Sequence, residues 1–103
     1  MPSLTLELAE RIGPAAPEGV VGAVAWCWKV PRGCGSARGQ EFVAAFAARH
    51  RRYPDAAGAA AYSVLHAWKA AAERAGTLEG AAVVRALEGH TQTLLKDEET
   101  WRD

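Results

Sequence analysis

The chain has 103 residues, enough for one small domain and too few for two. Half of them are hydrophobic, but alanine supplies much of that half and buries little area per residue. A domain of this size hides only about two thirds of its unfolded surface, so this one is expected to be marginal alone. Lys plus Arg (12) balances Asp plus Glu (12). The basic excess that neutralises phosphate in nucleic-acid binders is absent, which argues against a nucleic-acid partner.

Leu4, Leu8 and Ile12 recur at helical spacing, with Glu7, Glu10 and Arg11 between them. Ser3 or Thr5 can cap this short helix, and Gly13-Pro14 stops it. Pro14 to Gly19 reads as a connecting loop. Val20 to Trp26 is a continuous apolar run without alternation, the pattern of a strand covered on both faces. Such a strand needs backbone partners, and few other segments here can supply them. A neighbour is therefore expected to be missing.

Pro31, Gly33, Gly35, Ser36 and Gly39 mark Cys27 to Gly39 as a long loop. Its Gly-Cys-Gly-Ser stretch lacks the Lys-Ser/Thr of a phosphate-cradling loop. Gln40 to Arg52 reads as a helix with Phe42 and Phe46 on one face, ended by Tyr53-Pro54. The Arg49-His50-Arg51-Arg52 cluster suits the negative end of that helix's dipole. Asp55 caps the next helix, Ala56 to about Ala75, with Ala61, Leu65, Trp68 and Ala72 along one stripe. Gly76 closes it, and Thr77 caps a further helix that carries Val83, Val84 and Leu87 and ends at Gly89. In the tail, Thr91 to Leu95 suits a short extended piece. Lys96 to Glu99 suits a polar turn, and Thr100-Trp101-Arg102 the start of a strand.

Chemistry-bearing residues are scattered. His50, His66 and His90 lie on three segments with no cysteine or carboxylate at a metal-ligand offset, so neither zinc nor another cofactor is expected. His66 reads as a surface or satisfied boundary residue. Cys27 and Cys34 allow either a disulfide across their loop or two free thiols. Ser63, Thr91 and the cysteines sit in no nucleophile-elbow pattern, and the contiguous Asp97, Glu98 and Glu99 suit a solvated turn, so no catalytic residue is assigned. Trp26 and Trp28, one residue apart, either stack on a ligand or close a core edge, the second being the simpler reading. The amino terminus lacks the basic start and long apolar run of a signal peptide, so the sequence as given is expected to stay in the cytoplasm.

The order of parts resembles one family. Glu41-Phe42-Val43-Ala44-Ala45-Phe46, Arg52-Tyr53-Pro54-Asp55 and Ala59-Ala60-Ala61-Tyr62 are similar to type I periplasmic binding proteins, specifically the leucine/branched-chain amino-acid binding group. The likeness continues through Glu73-Arg74-Ala75-Gly76 and Val83-Val84-Arg85-Ala86-Leu87-Glu88-Gly89. Upstream, Glu18-Gly19-Val20-Val21-Gly22 resembles a late strand of the family. The resemblance implies an α/β chain: a helix-rich, strand-poor, C-terminal portion of a two-lobed fold, forming one partial domain over 1–103. It implies a non-catalytic role in an ABC transporter, with an amino acid or small amide as ligand and a membrane permease as partner. It also implies an extracytoplasmic location and a first lobe that carries most ligand contacts. The turn before the Tyr62 helix would face the cleft, which points to Asp55, Ala57 and Gly58. Many relatives hold an aromatic residue where this chain has Ala57, so a platform for the ligand side chain would be lacking. Tyr62 would mainly pack its helix. The alternative from the residues themselves is a small helical interaction protein that pairs with a partner or with itself.

Overall fold

The computed structural model describes residues 5–15 and 18–102. Ser3, Leu4, part of the expected loop at Ala16-Pro17 and the last residue, Asp103, lie outside them. The chain is helix-rich with few strands, as its pattern implies. It contains α1 (Leu6–Ile12), α2 (Val30–Gly33), α3 (Ala37–His50), α4 (Ala56–Ala75) and α5 (Gly80–Leu87), then β1 (Thr91–Gln92) and β2 (Glu99–Thr100).

Local chemistry sets most of these boundaries. The Thr5 hydroxyl accepts the Leu8 N–H at the start of α1, and Gly13 closes it at a φ of 86°. Asp55 Oδ1 accepts the Gly58 N–H at 2.8 Å, which starts α4, and Gly76 ends that helix in the left-handed region. Two expected helix starts move. The expected loop from Cys27 to Gly39 is partly helical: Pro31 fits the first turn of α2, where its missing N–H is no loss. Ser36 then caps α3 by accepting the Gly39 N–H at 3.0 Å, so this helix begins at Ala37 rather than Gln40. It ends at His50, with Arg51 taking the left-handed cap position. For α5 the cap is Glu79, whose two carboxylate oxygens accept from Ala81 and Ala82. Thr77 sits two residues earlier, and its hydroxyl accepts the Glu79 N–H.

The main correction concerns Val20 to Trp26. The run forms no strand, and residues 20–25 are exposed, Val21 almost completely so at 96 %. Among the described residues no backbone hydrogen bond ties it to a neighbour. Its apolar pattern was right for a covered strand, but the cover is not there. Only Trp26 at its end is buried. Among the described residues the two strands are instead in the tail, paired antiparallel with Thr91 opposite Thr100 and Gln92 opposite Glu99.

Trp26, Ala59, Ala67, Leu94 and Leu95 form the main core, flanked by Phe42, Val43 and Tyr62. The Trp26 indole N–H donates to the Leu95 carbonyl at 3.4 Å, which satisfies its one polar atom inside the core. Trp28 is half-buried, packs against this core and stacks on Tyr53 with ring centroids 4.0 Å apart. A smaller core of Ala71, Ala72 and Val83 locks α4 to α5, and Leu87 touches both clusters. The buried stripe of α4 keeps the expected Ala72 but otherwise differs from the one expected. Leu65 and Trp68 are exposed, and small alanines do the packing. Gly39 shows why small residues matter here, because a Cβ on it would lie 2.6 Å from Pro31 Cβ and 2.9 Å from the Leu95 carbonyl oxygen.

Candidate functional site

A cleft of about 390 Å³ opens between the first half of α4 and the tail hairpin. Ala56, Ala59, Ala60, Ser63 and Val64 form one wall. Their offsets of three, four, seven and eight residues place them on a single helix face. Trp26 and Leu95 contribute from the core side, and Trp101 from the end of the hairpin. Polar groups come almost entirely from the tail: Gln92, Lys96, Glu99, Thr100 and Arg102. Lys96 and Glu99 face one another at 2.9 Å, a pair at the solvent edge. The Thr91 and Thr100 hydroxyls bond across the hairpin at 2.8 Å and help hold that rim.

Such a surface, apolar on the helix side and polar on the tail side, suits contact with a small amphiphilic molecule. Ser63 is hydrogen-bonded to no histidine or carboxylate among the described residues, so the geometry builds no activated nucleophile there. No cluster of three His, Cys, Asp or Glu side chains among the described residues is placed to hold a metal ion. Cys27 and Cys34 are free thiols, the second exposed.

The three residues suggested by the resemblance sit beside this cleft rather than on its wall. Asp55 turns its carboxylate to the Gly58 N–H. Ala57 is exposed, and Gly58 backs onto Phe46, whose ring would be 3.7 Å from a Cβ at that position. Ala56, Ala59 and Ala60 take the wall positions. Sequence reading missed that stripe because it followed the large side chains Leu65 and Trp68. The signal available was the alanine spacing directly after the Asp55 cap. The Arg49–Arg52 cluster is a helix end, as its position implies: Arg49 and His50 lie in the last turn of α3, and Arg52 lies over the Phe46 ring.

The cleft's apolar helix wall and polar tail rim make a surface suited to a small molecule. The chain matches the periplasmic binding protein family over residues 1–100 and belongs to it, in the type I, branched-chain amino-acid-binding group. No curated protein and no solved structure matches the chain. Proteins of this family are substrate-binding components of ABC transporters and are periplasmic. Among the described residues, no helix is long and apolar enough to cross a membrane.

Proposed function

We propose that this chain is one portion of a non-catalytic substrate-binding protein that delivers an amino acid or a related small amide to an ABC permease. It works by joining a further lobe that completes both the fold and the ligand cleft. The supporting observation is unsatisfied surface. The chain exposes 7536 Å², whereas a self-contained monomer of its mass, 11.0 kDa, is expected to expose about 5,600 Å². Its radius of gyration is 16.3 Å, against about 13 Å for a compact domain of 100 residues. The excess includes the bare apolar run from Val20 to Val24.

In this reading Asp55, Ala57 and Gly58 lie near the ligand only once the other lobe is present. The amino and carboxylate groups of the ligand are held from that lobe. Isothermal calorimetry of the 103-residue chain against free amino acids tests it. Binding in the micromolar range by the chain alone would overturn the claim that essential contacts lie elsewhere. Co-expression with a first lobe, where the neighbouring DNA encodes one, is expected to restore binding.

The second reading is self-association, favoured by one patch. Val64, Leu65 and Trp68 on α4 are all exposed, and exposed apolar clusters invite contact. Light scattering across a concentration series decides this point, since a monomer at all concentrations counts against it.

A further inference from the structure

A second cleft, of about 240 Å³, lies on a neighbouring face of the second half of α4, where α3 and the tail approach it. Its lining is rich in basic groups from three elements: Arg38 from α3, His66 and Lys69 from α4, and His90 from the start of the tail. Arg38 is held in place without being neutralised. Its Nε donates to the Tyr62 hydroxyl at 3.0 Å, and one terminal nitrogen bonds to His66 Nδ1 at 3.0 Å. A guanidinium can only donate, so His66 Nδ1 is the acceptor. The ring is then neutral and carries its proton on Nε2. Both partners of Arg38 are therefore uncharged, and no carboxylate of the described residues lies within salt-bridge distance of it.

The groups around His66 agree with an excess of positive charge. Burial, then the charge of Arg38, then that of Lys69 hold its pKa below the ordinary histidine value. Lining the same cleft as His66 are Arg38 from α3, Lys69 and Glu73 from α4, and His90 from the tail. Among the described residues Glu73 is the one acidic group lining it, and it is engaged with Lys69 at 3.7 Å on the exposed rim. Thr93 and Gln92 add neutral hydrogen-bonding groups on the tail side.

We propose that Arg38, His66, Lys69 and His90 form a site for a phosphate group, either free phosphate or the end of a small monoester. Cationic and N–H donors reaching in from separate elements match a tetrahedral oxyanion, whose acceptor oxygens point in several directions. A planar carboxylate would use fewer of them. The cleft is also roomier than phosphate alone requires, which leaves space for a substituent. This site adjoins the cleft beside Ala59 and Trp26 at Gln92, which lines both, but Arg38, His66, Lys69 and His90 line the second cleft alone.

The test is an NMR titration of the 103-residue chain with inorganic phosphate, methyl phosphate and acetate at constant ionic strength, following the His66 and His90 ring signals. Phosphate is expected to give a saturable shift and to move the His66 titration midpoint upward, because a bound anion favours the charged ring. Arg38→Gln and Lys69→Gln should each weaken binding by about tenfold or more. Glu73→Gln should tighten it. Lys69 is exposed on a helix surface, so Lys69→Gln remains informative even where Arg38→Gln perturbs the fold, and circular dichroism checks both. Acetate binding as tightly as phosphate would overturn the proposed ligand class. Signals that respond to phosphate no more than to chloride, or variants that bind like the parent, would overturn the site.

Discussion

Trp26 and Val21 belong to the same apolar run and have opposite fates. Trp26 is 6 % exposed within a cluster drawn from α3, α4 and the tail, and its indole N–H is bonded. Val21, five residues earlier, is 96 % exposed with no backbone partner for its segment. The hydrophobic pattern of both is equally strong. What separates them is whether the rest of the chain supplies a surface to pack on, since burial is a property of the pair and not of the residue.

The largest expected effect is therefore Trp26→Ala. Removing a buried tryptophan costs about 3–5 kcal/mol, a large share of the stability of any small domain. Urea denaturation should show the chain largely unfolded. Val21→Ala, in contrast, should change the stability by no more than about 0.5 kcal/mol in the isolated chain. The comparison breaks if Val21→Ala is comparably costly, because the run would then be packed in solution. If the cost appears only when a second lobe is added, the comparison sharpens into evidence for the missing neighbour.

Gly39→Ala probes the packed side from the opposite direction. The added methyl would meet the Pro31 ring and the Leu95 carbonyl well inside contact distance. Overpacking of this kind costs about 1–3 kcal/mol, read as a lowered thermal midpoint. Gly22→Ala in the exposed run meets nothing within 4 Å and should leave the midpoint nearly unchanged. Equal effects at the two glycines would mean that the α2–α3 corner is looser than its geometry indicates.

The elements legible in the sequence are those set by neighbours in the chain. Thr5, Asp55, Gly13 and Gly76 act through hydrogen bonds or backbone conformations a few residues long, so α1 and α4 were readable almost to the residue. Ser36 and Glu79 are the same kind of signal, overlooked in favour of Gly-rich loop composition and of Thr77. The candidate cleft was not legible. Its alanine wall depends on which face of α4 the tail and Trp26 cover, a long-range fact that periodicity does not contain. The basic cleft was half legible: His66, Lys69 and Glu73 fall at helical spacing, but nothing in the sequence brings Arg38 and His90 to them. The apolar run is the reverse case, because its sequence describes an environment that the chain by itself does not provide.

Asp55 gives a smaller effect than the packed positions Trp26 and Gly39 and separates two roles for one carboxylate. As a cap, its Oδ1 accepts the Gly58 N–H, and Asp55→Ala should cost about 1 kcal/mol. Asparagine caps a helix about as well as aspartate, so Asp55→Asn should recover most of that loss in a thermal melt. A role for its charge predicts something different: Asp55→Asn would keep the stability of the isolated chain yet weaken amino-acid binding once a further lobe is joined. If Asp55→Asn leaves both stability and reconstituted binding intact, Asp55 is a cap alone, and the resemblance has then marked the turn for its shape rather than for its charge.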